Sequence, residues 1–298
     1  MSSFRTEHLE TLVALIEEGT FEAAARRLSV TPSAISQRVK AMERSTGQVL
    51  VQRSNPVEPT AAGDVALRYG RQVRLLEAEA ARALALEEGD AGAVTVPLAI
   101  NADSLGTWFM EALSRVASPG VVFEVFRDDQ EHTTSLLRAG KVMAAVTSHA
   151  DAVQGCRSEL LGTMTYRAVC SPGFLVDQLG GQTTPSSLAG ATVVDFDRKD
   201  QTQNRFFREY AGRPLRAPRH YIPTSADYAR AIVLGLGWGL LPDQQCLKEI
   251  ESGELVEIAP RQRVEIPLYW QRWTLESPLL EELTEAVKAV AAHEMHPG

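Results

Sequence analysis

Cysteine is scarce in this 298-residue chain. Cys156, Cys170 and Cys246 are an odd number and show no metal-like spacing. That excludes a disulfide framework, and they read as reduced, buried thiols. A redox-sensing thiol would need a basic or histidine environment that lowers its pKa, and no such cluster is obvious around the three. No apolar run approaches the roughly 20 residues of a membrane-spanning helix. The opening MSSFRTEHLE lacks the basic start and apolar stretch of an export signal. A cytoplasmic protein with no membrane partner is expected. The six histidines form no pair at metal-ligand spacing, and there is no GxSxG elbow or Walker loop. No catalytic residue, metal or cofactor is therefore expected, and the chain does not read as an enzyme. Gly235-Leu236-Gly237-Trp238-Gly239 looks like a dinucleotide loop but follows a helical pattern, so it reads as a helix end entering a strand. An excess of positive charge is missing too, since the formal net charge is −8.

Against that acidic background, Thr20 to Arg53 stands out. It carries six cations (Arg26, Arg27, Arg38, Lys40, Arg44 and Arg53) against two carboxylates, Glu22 and Glu43. A basic island on an acidic protein is the footprint of a phosphate-binding surface. Thr20 is a hydroxyl cap before a first helix whose buried side is Ala24, Ala25 and Leu28. The chain turns at Ser29-Val30. Thr31 then caps a second helix with Pro32 at its first position, where a missing N–H costs nothing. Ile35, Val39 and Met42 recur at spacings of four and three and face one core. Ser33, Ser36, Gln37, Arg38 and Lys40 lie on the other side, short polar groups suited to base edges and cations suited to phosphates. Geometry alone also fits an ordinary helical hairpin with a solvated face; the charge favours a helix–turn–helix that presents its second helix to a major groove.

Ala23-Ala24, Leu28, Thr31-Pro32-Ser33-Ala34-Ile35-Ser36, Arg38, Glu43 and Gly47 resemble the N-terminal pattern of LysR-type transcriptional regulators. The likeness continues through Leu50-Val51-Gln52-Arg53, Pro59-Thr60 and Gly63. It implies a winged helix–turn–helix with wing strands at Leu50 to Arg53 and Val57 to Thr60. It also implies DNA contacts from Thr31, Ser33, Ser36, Gln37, Arg38, Lys40 and Arg53. Ser54 to Pro56 departs from the commoner basic form of that wing.

Thr6 to Glu18 reads as a first helix that begins with a capping residue, with Leu9, Leu12, Val13 and Ile16 on one face. A long helix runs from Thr60 to about Glu88, and about 28 residues span roughly 40 Å. So long a helix needs a partner, and in the resembling family it is the linker that pairs two subunits. Gly89-Asp90-Ala91-Gly92 marks the domain boundary. Strand and helix then alternate: strand Val94 to Ile100, helix Leu105 to Val116, strand Val121 to Phe126, helix Thr133 to Ala139 and strand Val142 to Thr147. This rhythm predicts a parallel sheet covered by helices. A second unit, starting near Arg167, includes Ala168 to Cys170, strand Thr192 to Phe196 and helix Gln203 to Tyr210. Strand Arg219 to Ile222, helix Ala226 to Leu234 and strand Leu255 to Ile258 follow. Strand Ile266 to Trp273 and helix Pro278 to Glu294 return to the first. The expected division is residues 1–59 for the DNA-binding domain, 60–89 for the linker helix and 90–298 for an α/β effector-binding domain. That domain has two lobes resembling periplasmic solute-binding proteins, about 93–165 with 266–298, and about 166–265.

Ligands in open α/β sheets sit beyond the carboxyl ends of strands, where helix N-termini point. Four polar junctions fit: Asn101, Asp103 and Ser104; Asp128 and Asp129; Asp195 and Asp197; Thr224 and Ser225. Helix ends suit a ligand carboxylate and the aspartates suit amines, which together describe a basic amino acid. Taken singly, each aspartate also reads as a turn residue or cap. Asn101 to Leu105 with Thr107-Trp108, Val194 to Asp197 and Leu268-Tyr269-Trp270 resemble the LysG/ArgP branch of the family, which regulates lysine and arginine export. The resemblance adds Trp108 to the effector-binding residues. It implies a transcriptional activator that senses lysine, arginine or histidine, acts on double-stranded promoter DNA as a homodimer or homotetramer, and meets RNA polymerase. The alternative is a LysR-type regulator of an unrelated effector, an aromatic or organic acid or an oxidant.

Overall fold

A computed structural model describes residues 4–84, 94–127 and 130–296. Three helices, α1 (Thr6–Glu18), α2 (Phe21–Arg27) and α3 (Pro32–Thr46), precede a two-strand wing, β1 (Val51–Gln52) and β2 (Glu58–Pro59). The hydroxyl caps form as the sequence predicts. Thr20 accepts from the Ala23 N–H and Thr31 from the Ala34 N–H, both at 3.2 Å. Thr6 is a correction: it is the first helical residue, and the extended residue before it, Arg5, makes no side-chain cap. Leu9, Leu12 and Val13 pack on Ile35, Val39, Met42, Leu50, Val51 and Val57 in one small core, with Ile16 half-buried at its rim.

Helix α4 (Ala61–Ala83) follows, its first turn capped by Thr60, which accepts from the Gly63 N–H at 3.0 Å. The helix reads on as far as Glu88 in the sequence, but residues 85–88 and the Gly89–Gly92 boundary lie outside the described residues. One stripe of α4 docks on the α/β domain of its own chain. Arg68 donates to the Gln154 carbonyl at 3.0 Å and Arg71 to the Gly140 carbonyl at 2.6 Å. Farther along, Glu79 accepts from Ser277 Oγ and the Leu279 N–H. Between these contacts, Glu17 of α1 binds Arg27 of α2 at 2.8 Å and Arg74 of α4 at 3.2 Å, with Arg71 at 3.6 Å. These cations hold the Glu17 carboxyl below its usual range despite its burial. A separate stripe, Val65, Tyr69 and Leu76, is exposed.

The α/β domain opens with β3 (Val94–Ile100), α5 (Ala102–Thr107), α6 (Phe109–Val116), β4 (Val121–Arg127), α7 (Gln130–Arg138) and β5 (Ala144–Thr147). Where the sequence suggests one helix, Leu105 to Val116, there are two. The chain breaks at Trp108, whose ring is buried against Phe109. Next come β6 (Cys156–Cys170), α8 (Pro172–Asp177), α9 (Pro185–Leu188), β7 (Val193–Asp195), α10 (Thr202–Ala211), β8 (Arg219–Tyr221) and α11 (Ser225–Val233). The chain ends with β9 (Gly239–Pro242), α12 (Asp243–Ser252), β10 (Val256–Glu257), β11 (Arg263–Trp273) and α13 (Pro278–Glu294). The glycine-rich segment Gly235–Gly239 leads from α11 into β9, as the sequence implies.

The main sheet runs β10-β6-β11-β5-β3-β4, with β9 also beside β6. Strand β3 is parallel to β4 and β5, whereas β6 and β11 are antiparallel from Arg263 opposite Arg167 to Trp273 opposite Cys156. The parallel sheet expected of the first unit forms from β3, β4 and β5, and β11 joins it antiparallel to β5. This long pair passes from lobe 1 (β3, β4, β5) to lobe 2, where β7 and β8 form a small parallel pair. Trp270 and Trp273 fill the lobe 1 core instead of lining a surface, and Trp270 Nε1 donates to Thr284. No described helix is long and apolar enough to cross a membrane.

Candidate functional site

The first surface is the outer face of α3. Thr31 and Ser33, in the first turn and just before it, and Gln37 and Lys40 beyond are exposed, while Ser36 is half-buried beside them. Ser33, Gln37 and Lys40 recur at spacings of four and three, so one stripe carries them. The positive end of the helix dipole adds to that stripe. Thr31 is exposed but its hydroxyl serves the cap. Arg38 is half-buried and turned toward α1. It donates to Thr11 Oγ1 at 3.2 Å and lies 3.7 Å from the Glu7 carboxylate. Arg53 is exposed at the wing, which Leu50, Val51 and Val57 anchor from beneath. Glu43 of α3 accepts from the Leu50 N–H at 3.0 Å, so the recognition helix itself positions the entry to the wing.

The second surface is the cleft between the lobes. Asp103, in the first turn of α5, accepts from Tyr166 Oη of β6 at 2.9 Å and from Ser225 Oγ, the first residue of α11, at 3.0 Å. Gln245 of α12 donates to Ser225 Oγ at 2.9 Å. One carboxylate thus joins lobe 1, the crossover strand and lobe 2. The helices approach so closely here that a Cβ on Gly106 would lie 3.1 Å from the Ser225 side chain. Burial raises the Asp103 pKa, opposed by its two hydroxyl donors and reinforced by nearby Asp200. The Tyr166 hydroxyl is pushed well up by burial and by Asp103. Asn101 Oδ1, Ser104 Oγ and Gln245 Oε1 are buried without hydrogen-bond partners. Buried polar atoms normally have them.

The structure does not bring every sequence-derived candidate to this junction. Asp195 is 1% exposed and bonded to Arg219 of β8, which also donates to Asn204. Burial raises the Asp195 pKa, and Arg219 opposes that rise. Asp197 accepts from the N–H groups of Lys199 and Asp200 and shapes a turn. Thr224 is exposed and donates to Asp227 at 2.6 Å. Trp108 is buried in the core. Asp128 and Asp129 lie outside the described residues. Sequence reading missed Tyr166 and Gln245, because only tertiary packing carries them to Asp103 and Ser225.

The three cysteines are free, and burial pushes their thiols up: Cys156 to about 11, Cys170 and Cys246 to about 12. None is a thiolate at neutral pH, the form that oxidants attack.

Residues 6–64 match the bacterial regulatory helix-turn-helix proteins of the lysR family, and residues 92–292 match the LysR substrate binding domain. The chain is 43% identical over 288 residues to the lysine export transcriptional regulatory protein LysG of Corynebacterium efficiens, covering 94% of this chain and 95% of that one. The fold superposes on the crystal structure of ArgP from Mycobacterium tuberculosis with a TM-score of 0.88, at 37% identity over 98% of each chain. It superposes on full-length LysG from Corynebacterium glutamicum with bound effector Arg with a TM-score of 0.81, at 38% identity over 99% of this chain and 100% of that one.

Proposed function

Since the chain belongs to the LysR family of bacterial transcriptional regulators, in the group of LysG and ArgP, we propose that it senses a basic amino acid and activates a gene for basic amino-acid export. In this reading residues 1–59 hold the operator, 60–89 pair two subunits, and 90–298 hold the effector. Ser33, Ser36, Gln37 and Lys40 meet the major groove and its phosphates, while Arg53 meets the flanking backbone. Thr31 presents the helix end, and Arg38 reaches DNA on release from Glu7. The exposed stripe Val65, Tyr69 and Leu76 supports pairing through α4, and dimers presenting two recognition helices fit a two-fold operator. The protein works in the cytoplasm as a dimer or tetramer, in contact with RNA polymerase.

One observation carries the effector assignment: the half-buried Asp103 carboxylate at the lobe junction, with unpaired buried acceptors on Asn101 at the entry to the same helix and on Gln245, which bonds the same Ser225 hydroxyl. Carboxylate and amide oxygens accept hydrogen bonds from an ammonium or guanidinium, and Asp200 adds negative potential. The N-terminus of α11 and Ser104 suit the ligand carboxylate. Asp195, held by Arg219, acts through the shape of lobe 2. The high thiol pKa values speak against an oxidant as effector. Calorimetry on the full-length protein with arginine, lysine and norleucine tests the proposal. Binding of the two cationic amino acids alone is expected. Asp103→Asn should weaken it about 10- to 100-fold, the worth of a charge-assisted hydrogen bond. Equal binding of norleucine, or an unaffected Asp103→Asn, refutes the assignment.

A further inference from the structure

Arg127 ends β4 on the lobe 1 side of the cleft, and its side chain reaches across to lobe 2. Its Nη1 donates to the Pro223 carbonyl at 2.8 Å, and its guanidinium lies 5.6 Å from the centre of the Phe196 ring. The two contacts use different properties of one group, a fork of donors and a flat cation. They also fall on two different lobe 2 segments, the exit of β7 and the turn before α11. Pro223 stands two residues before Ser225, whose hydroxyl bonds Asp103. Whatever holds Pro223 therefore sets how closely α11 approaches α5, where Gly106 leaves only 3.1 Å between a Cβ and Ser225.

We propose that Arg127 is the latch of the inter-lobe cleft: by gripping Pro223 and Phe196 it holds lobe 2 shut on lobe 1 and so sets effector affinity without touching the effector. Arg127 is a positioning residue, and the effector part of this proposal rests on the function proposed above. Closing energy supplied by the protein raises affinity, because a ligand binding an already closed cleft need not supply it. With Arg127 truncated the closed arrangement becomes a smaller fraction of the population, and apparent affinity falls by that fraction.

The test uses the full chain and the variants Arg127→Gln, Phe196→Leu and their combination, read by hydrogen exchange without effector and by calorimetry with arginine. In Arg127→Gln, amides of α5 and of the first turn of α11 should exchange faster while β3 and β4 keep their protection. The arginine dissociation constant should rise about tenfold. Phe196→Leu should act in the same direction, and the double variant should be no worse than Arg127→Gln alone, since both remove one latch. Unchanged exchange at α5 and α11 overturns the latch, and so does loss of protection spreading through β3 and β4, which would make Arg127 a general structural residue. If the wild type binds neither arginine nor lysine, the effector assignment fails, yet exchange in the effector-free protein still decides the latch.

Discussion

Replacing Arg219 with Met tests the pairing of Asp195. The variant keeps the length of the side chain but leaves a 1% exposed carboxylate with no cation. One oxygen of that carboxylate, Oδ1, already lacks a partner. Breaking a buried pair from one side costs about 3–5 kcal/mol, mostly as the penalty on the stranded charge. The pH dependence follows from the direction of the shift. Burial already raises the folded Asp195 pKa above its ordinary value, and Arg219 is what opposes the rise. Removing Arg219 moves the pKa further up. A carboxyl whose folded pKa exceeds its unfolded one favours the folded state at low pH and loses that contribution as pH rises through the folded value. The deficit of Arg219→Met should therefore be largest near neutrality and shrink in acidic solution, as Asp195 takes up a proton. Guanidinium unfolding followed by tryptophan fluorescence at neutral and at acidic pH measures it, and Asp195→Asn/Arg219→Met should recover much of the loss. A deficit under about 1 kcal/mol, or one equal at both pH values, refutes the stranded-charge argument.

Gly140 has φ +66°, and a Cβ there would lie 2.7 Å from Arg68 Cα, so Gly140→Ala should push α4 off the α/β domain. Strain and overpacking together cost about 2–4 kcal/mol; thermal unfolding unchanged from wild type would show that the contact is easily relieved. At the operator, Lys40→Ala should weaken all DNA sequences alike and lower the salt slope by about one, whereas Ser33→Ala should lose discrimination among operators. Fluorescence anisotropy across a salt series with specific and scrambled duplexes separates the two, and identical behaviour of both variants contradicts the assigned roles.

The DNA-binding half was legible because its signals are local. The caps at Thr20 and Thr31, Pro32 and the Ile35, Val39, Met42 stripe each act within a few residues. The α/β domain was legible as apolar strands and not as pairings. Only the end of β6, Ala168 to Cys170, was legible, because its first half is half-buried or exposed and Gly162 interrupts it. Helix α12 escaped because Cys246 is its one buried residue and gives no periodicity. The cleft is less local still. Asp103 meets Tyr166 across 63 positions and Ser225 across 122, while the Asp195–Arg219 pair depends on the register of β7 with β8. Aspartate at a strand end was readable as polar, but not whether its partner would be an internal arginine or a free hydroxyl.

Helix α4 is fastened on two sides, by Glu17 to the DNA-binding helices and by Arg71 and Glu79 to lobe 1. Mechanically it is a shaft gripped from two sides. A push on lobe 1 is passed through these contacts to the DNA-binding helices of the same chain. Lobe 2 joins that frame in the sheet through the β6–β11 pair. A displacement of lobe 2 is therefore felt in that pair before it is felt at α4.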